Sequence, residues 1–473
     1  MPLITGVPMV FSSTVFLFIF LPAVWLIYSA IPRKYLKVKN LILAIASLIF
    51  YAYGEPVYVL IMIGSVTFNY FAARLISRYR KADRLITVVA VAANLSLLFL
   101  FKYVPWLTTV VNDAAGISLP VPSLTIPVGI SFYTFQILSY VIDVKRGKCE
   151  PQKNYVKLFL YISFFPQLIA GPIVKYGDIA EQLSSRDITL DKTSAGIRRF
   201  ITGLSKKVLI SNAAAYVADA AFGAATLSSP TAWAGAICYC LQLYYDFSGS
   251  SDMAIGLASM FGFRIGENFN YPYAATSIRD FWKRWHISLT SWFREYLYFP
   301  LGGNRKGKVR TVVNRIIVFF LTGAWHGANF TYIVWGLWHG FLMLFEEFAG
   351  ISRIEKKRAA RPLTRIYTLL AVCIGFVVFR APGVSSAISY IVAMFSFRGS
   401  LDIAVFLTPW NIVMVLFGVL FSFPLIKYIK KHTSRLGENF QGVISYAASA
   451  LLLALSIMSL VSSEFNPFIY YIF

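Results

Sequence analysis

Residues 279–308 read RDFWKRWHISLTSWFREYLYFPLGGNRKGK, and residues 321–340 read LTGAWHGANFTYIVWGLWHG. Three of the chain's four histidines, His286, His326 and His339, lie in these two runs. His326 and His339 stand in strongly apolar sequence beside tryptophan. An imidazole at membrane depth is costly, so its presence there marks a candidate functional site. The second run also decides the fold, because basic clusters bracket it. Arg305, Lys306, Lys308, Arg310 and Arg315 precede it, and Arg353, Lys356, Lys357, Arg358 and Arg361 follow it. Basic loops stay in the cytoplasm, so the segment 316–346 is expected to enter the bilayer and return within it. Two arms of about 15 residues reach about 22 Å each, less than the roughly 30 Å of hydrocarbon. Gly327, Ala328 and Asn329 form the expected apex, with His326 beside it. Non-helical backbone at that depth is tolerated only where it is buried in protein or lines a watered cavity.

The rest of the chain has the composition this requires. Of 473 residues, 58% are hydrophobic, 17% aromatic and only 14% charged. Such a chain reads as an all-α polytopic membrane protein. No polar stretch of domain size interrupts it, so a single membrane domain over 1–473 is expected. Its N-terminal helices fall within 11–105, its core within about 126–346 and its C-terminal helices within 366–463. The net charge of +23 falls in short clusters between apolar segments, which is a topogenic pattern and argues against nucleic acid. Further clusters occur at Arg33–Lys39, Arg74–Arg84, Lys145–Lys153 and Lys427–Arg435, whereas the loops Gly54–Pro56 and Val110–Leu124 nearly lack Lys and Arg. The alternation predicts an N-terminus outside the cell membrane. Phe11–Ile31 is long enough to span and lacks a basic n-region, so it reads as a first transmembrane helix and not as a cleaved signal. The four cysteines, Cys149, Cys238, Cys240 and Cys373, have neither zinc spacing nor the character of a disulfide framework, and no metal is expected.

Residues 277–299 predict an amphipathic helix on the cytoplasmic surface. At 100° per residue Arg279, Lys283, His286, Thr290 and Arg294 share one face, and Phe281, Trp282, Trp285, Leu289, Trp292 and Tyr296 the other. His286 on that polar face reads as structural or ligand-contacting, His339 as structural, and His432 as solvated. For His326 two readings stand. It is either a buried histidine bonded across helices or a general base for an acceptor hydroxyl. Asp246 and Asp252 either bind an acceptor or make helix–helix hydrogen bonds. Walker, H-E-x-x-H and dinucleotide motifs are missing from the sequence.

The runs DFSGSSDMAIGLASMFGF (246–263), NFNYP (268–272), and the two quoted above resemble the membrane-bound O-acyltransferase (MBOAT) superfamily, in its alginate O-acetylation (AlgI-like) branch. Weaker likeness extends over FSSTVFLFIFLP (11–22), PVGISFYTFQILSYVIDV (127–144), FFPQLIAGPI (164–173) and the C-terminal FNPFIYYIF. The resemblance implies a helical bundle with a thin centre, re-entrant helices and a substrate tunnel. It implies that His326 is the essential histidine and His286 the second family histidine. It further implies acetyl transfer from a cytoplasmic donor, acetyl-CoA, to an extracytoplasmic polysaccharide or cell-wall glycan, with an extracytoplasmic acetyltransferase as partner and no bound cofactor. On that reading Arg284, Arg305 and Lys306 receive the donor phosphates. Trp325 and Asn329 hold the imidazole, and Trp285 and Asp246 contact substrate. D-alanyl transfer to teichoic acid, a transporter or flippase, and a non-catalytic scaffold for a polysaccharide synthase are the alternatives. A transporter would be expected to carry paired broken helices in two matching halves.

Overall fold

The computed structural model describes residues 9–224, 226–355, 357–401, 406–425, 437–462 and 468–469. Among them every regular element is helical. Five helices are long and apolar enough to cross a membrane: Leu36–Gly54, Tyr58–Arg78, Asp83–Ala115, Arg358–Arg380 and Phe440–Ser462. The chain is a multi-pass membrane protein. The basic cluster Lys427–Arg435 and His432 lie outside the described residues.

Contacts divide the chain into two compact units, Met1–Phe200 with Ser251–Gly266, and Ile201–Ser250 with Glu267–Phe473. In the first, a π-helical turn Phe16–Phe20 runs into α1 (Leu21–Ala30), followed by α2 (Leu36–Gly54), α3 (Tyr58–Arg78), α4 (Asp83–Ala115) and α5 (Ile130–Lys145). A pair of polar side chains inside these helices is matched, as a medium without water favours. Asn94 Nδ2 donates to Asn69 Oδ1 at 2.9 Å, and Asn69 Nδ2 returns a bond to Asn94 Oδ1 at 3.1 Å, tying α3 to α4. The apolar run 155–172 is not one helix. It breaks at Phe164 into α6 (Tyr155–Ser163) and α7 (Phe165–Leu168), with Pro166 in the first turn of the second. The short α8 (Tyr176–Ile179) follows.

Two helices, α9 (Leu190–Ser205) and α11 (Ser229–Met260), contribute residues to both units. The second unit continues through α10 (Asn212–Phe222), then α12 (Ile278–Trp282), α13 (Ile287–Phe293), α14 (Gly307–His326) and α15 (Phe330–Phe348). After the turn α16 (Ile351–Ile354) come α17 (Arg361–Arg380), α18 (Val384–Met394), α19 (Pro409–Phe421) and α20 (Glu438–Ser462).

The hairpin α14–α15 is the centre of this unit. Its break falls at 327–329, where the sequence places the apex, but its arms are longer than expected. Helix α14 begins at Gly307 and takes in Lys308, Arg310 and Arg315, so the arms hold 20 and 19 residues and measure about 30 and 28 Å. Long basic side chains can leave the apolar environment while their backbone stays helical, which is why the basic cluster did not end the helix. Arg315 and Glu347 form an ion pair across the open end of the hairpin. Midway, Gly323 and Gly336 meet backbone to backbone. A Cβ on Gly323 would collide with the carbonyl of Tyr332, and one on Gly336 with the carbonyl of Phe319. Small residues at such a crossing let two helices approach closely.

The predicted surface helix 277–299 is overturned. It is two short helices, α12 and α13, separated by a turn in which His286 adopts left-handed geometry (φ 42°, ψ 55°). The loop 268–270 competes for its backbone: Asn270 N donates to Arg284 O, and Ile287 N to Asn268 O, both at 2.9 Å. His286 is fully buried and shares no polar surface with Arg279 or Lys283.

Replacing Gly336 by Val should destabilise the hairpin by about 1–3 kcal/mol or more, since overpacking here must displace backbone. Thermal unfolding in detergent is expected to move to lower temperature; a melting temperature equal to that of the wild type would contradict this packing.

Candidate active site

Three imidazoles, carried by three different elements, converge in the second unit. His326 is the last residue of α14, buried at 4% exposure. Its ring meets Trp325 and Trp335 edge-on, with centroids 5.0 Å away in each case, and Phe379 of α17 at 5.2 Å. Gly327 follows in extended geometry; a Cβ there would strike the ring of Tyr332, so the turn beside the imidazole needs glycine for space. Asn329 caps α15. Its Oδ1 accepts from Thr331 N at 3.0 Å, and its Nδ2 donates to Pro382 O at 3.1 Å. Those bonds commit Asn329 to the apex backbone, so the expectation that it holds the imidazole is corrected.

Trp325 does stand beside both predicted histidines. His286 lies 6.1 Å from its ring and 4.5 Å from that of Phe247. A residue outside the expected set fixes His286: its Nδ1 is 3.2 Å from Asn268 Oδ1, which also accepts from Ser288 N at 3.2 Å and Ser288 Oγ at 2.9 Å. Asn268 belongs to the NFNYP run, so the signal was in view, but its role depends on a contact 18 residues away. His339, expected to be merely structural, is fully buried against Trp282 (5.3 Å) and Trp335 (5.2 Å).

The remaining expected residues are placed differently. Trp285 packs in the aromatic core on Phe281, Phe269 and Phe376. Arg284 is bracketed by Asp280 at 3.0 Å and Asn270 O at 3.3 Å. Arg305 and Lys306 are exposed. Asp246 is buried in an ion pair with Lys207 at 2.6 Å, and its other oxygen accepts from Ile469 N at 2.9 Å. Within the first unit, Asp252 likewise pairs with Arg199 at 2.6 Å. The two acids are thus taken up by cations on neighbouring helices.

A cavity of about 320 Å³ lies between α12, α13, α14 and α15, and Trp282, which packs on His339, is part of its wall. Its charged lining includes Arg279, Lys283, Arg294 and Arg315, together with Glu346, Glu347 and Glu355. Its apolar wall includes Trp282 and Phe319. Arg315, Phe319 and Thr322 of α14 all line it, and they are spaced so that His326 continues the same helical stripe. The lining joins charged groups of both signs to an aromatic wall, and His326 lies further along the same face of α14 without lining the cavity itself. Among the described residues no His, Cys, Asp and Glu cluster is suited to hold a metal ion.

Residues 151–391 match the membrane-bound O-acyltransferase family. The chain belongs to that family. It is similar over 98% of its length, and 100% of the relative's, to a protein of Azotobacter vinelandii named "Probable alginate O-acetylase AlgI", at 38% identity. It is 33% identical to a peptidoglycan O-acetyltransferase of Helicobacter pylori, over 98% of each chain. A teichoic acid D-alanyltransferase of Bacillus subtilis is 30% identical over 61% of this chain and 76% of its own. The MBOAT protein described here is therefore an O-acyltransferase of the AlgI-like branch.

The Lys207–Asp246 pair supplies a test of this unit's interior. Lys207→Ala leaves a buried carboxylate without its cation and should cost about 3–5 kcal/mol, whereas the double change Lys207→Met, Asp246→Leu should recover much of that loss. Unfolding in detergent checks both; equal stability of the single and double variants would show that the pair is not the cause.

Proposed function

We propose that this membrane-bound O-acyltransferase moves acetyl groups from cytoplasmic acetyl-CoA to the hydroxyls of an extracytoplasmic polysaccharide or cell-wall glycan. On this reading it lies in the inner (plasma) membrane with its N-terminus outside, and it works with an extracytoplasmic acetyltransferase partner. The observation that carries the proposal is the stripe Arg315–Phe319–Thr322–His326 on one face of α14, whose first three residues line the cavity and whose last is a buried imidazole. The names of the two relatives that match this chain nearly end to end support acetyl as the group and a glycan as the acceptor. D-alanyl transfer is less favoured, because that likeness spans only 61% of the chain.

The chemistry follows from the residues. Arg279, Lys283 and Arg294 attract the anionic nucleotide end of the donor to the cavity, Arg315 being paired with Glu347, and the nucleotide stays there. This changes the expected docking residues, since Arg284, Arg305 and Lys306 do not line the cavity. The uncharged thioester arm lies along Phe319, Thr322 and Trp282 toward His326. His326 takes the proton of an acceptor hydroxyl as the oxygen attacks the acyl carbon. Asn268 positions His286, and Trp325 separates that ring from His326. Aromatic walls exclude water, which would otherwise hydrolyse the thioester.

His326→Ala should lower alkali-labile acyl esters on surface glycans by at least about 10²-fold at matched membrane levels, the usual weight of a general base. Chromatography of the released acid identifies the group, with acetate expected. Unchanged esters in the variant would overturn the role of His326, and released D-alanine would overturn the acetyl assignment.

A further inference from the structure

Around His339 the second unit holds a group of buried nitrogens without hydrogen bonds. Among the described residues neither ring nitrogen of this fully buried histidine has a hydrogen-bond partner. The same holds for the indole Nε1 of Trp282 and of Trp335, which are buried at 5% and 1% exposure. These three rings touch one another: Trp282 to Trp335 at 5.8 Å, Trp282 to His339 at 5.3 Å, and Trp335 to His339 at 5.2 Å. Trp335 and His339 are four residues apart on α15 and so share a face, with Trp282 meeting them from α12. Two other tryptophans of the unit are bonded in the ordinary way. Trp338 Nε1 donates to Ala371 O at 2.9 Å, and Trp233 Nε1 to Met394 O at 2.8 Å.

Buried polar groups are rarely left without partners, and each such case calls for an explanation. Had this site needed only aromatic packing, phenylalanine would fill it without the desolvation cost. The inventory of groups is informative. A neutral imidazole brings one donor and one acceptor, and each indole one donor. The cluster therefore holds three N–H donors and a single acceptor, a surplus suited to an oxygen that accepts several hydrogen bonds. Two observations connect it to the acyl-transfer path. Trp282 lines the cavity, and Trp335 stands edge-on to His326 with centroids 5.0 Å apart. Gly375 leaves room for the imidazole, since a Cβ there would come within 3.1 Å of His339 Nε2.

We propose that Trp282, Trp335 and His339 receive the acyl carbonyl oxygen of the donor and stabilise the negative charge it acquires during transfer. The inference rests on the reading of His326 as the proton acceptor. As the acceptor hydroxyl attacks, its proton passes to His326 and the carbonyl oxygen becomes an oxyanion held by the indole and imidazole N–H groups. The carbonyl then re-forms, the C–S bond breaks, and His326 returns the proton to the departing sulfur. One C–O bond has replaced one C–S bond, and nothing is oxidised or reduced. Fixed donors aimed at a developing oxyanion are commonly the largest single contribution in acyl transfer.

The test compares His339→Phe, Trp335→Phe and Trp282→Phe with His326→Ala and wild type in cells. The readouts are the initial rate of alkali-labile acyl-ester formation on surface glycans, at matched membrane levels, and the melting temperature of each purified variant. His339→Phe keeps a ring of similar size and loses the hydrogen-bonding groups, so an unchanged or higher melting temperature is expected; the Trp→Phe changes also remove part of a buried ring and should melt somewhat lower while still folding. Each should show a rate about 10²-fold lower. His339→Gln returns an N–H and should be faster than His339→Phe. Wild-type rates in the three folded Phe variants, with His326→Ala inactive, would overturn this proposal alone, as would a Gln variant no faster than Phe. Should His339→Phe fail to accumulate, the two Trp→Phe variants decide. An active His326→Ala, or no ester in wild type, would overturn the underlying reading and this proposal with it.

Discussion

The close crossing of α14 and α15 at Gly323 and Gly336 is the constraint on which the site depends. Because neither position carries a side chain, the carbonyls of Phe319 and Tyr332 lie where a Cβ would otherwise stand. That contact fixes the register of the hairpin. It sets His326 at the end of one arm opposite Trp335 on the other, and one turn later it sets His339 against Trp282. It also leaves Phe319 and Thr322 facing the cavity. A wider hairpin would separate the imidazole of His326 from the indole of Trp335.

The interior shows two treatments of buried polarity. In places it is closed: Asn69 with Asn94, Arg199 with Asp252, and Lys207 with Asp246 each satisfy one another. Around His339, as at several other buried side chains, it is left open, and here the open groups are donors beside aromatic surfaces. Stability favours the first treatment and chemistry requires the second, since a site that has satisfied all its own donors has none to offer a substrate. The cavity lining holds charge of both signs, with Arg279, Lys283, Arg294 and Arg315 beside Glu346, Glu347 and Glu355, whereas the cluster around His339 is made of uncharged rings.

Much of this was legible in the sequence, and the limits are instructive. The hairpin and the place of His326 could be read because the basic flanks and the Gly-Ala-Asn break are local signals. Arm length was misjudged because Lys308, Arg310 and Arg315 were counted as loop, although basic residues are tolerated at a helix start whose side chains reach outward. The burial of His286 was hidden because the break at 283–286 is imposed by Asn268 and Asn270, from a loop that periodicity cannot see. The donor-facing cations were chosen as the nearest basic residues in sequence. Which of them line a cavity depends on how α12, α13 and α14 pack. His339 and Trp335 looked like core, and only the missing partners of their nitrogens distinguish them from it.

The central claim is that the donor reaches His326 along the Arg315–Phe319–Thr322 face of α14. A cryo-electron microscopy structure of the full chain with a non-hydrolysable acetyl-CoA analogue tests it most directly. The account predicts nucleotide phosphates beside Arg279, Lys283 and Arg294, a pantetheine arm over Phe319 and Thr322, and an acyl carbon next to His326. An analogue bound at another surface, or one whose acyl end stops away from His326 with this cavity empty, would contradict it.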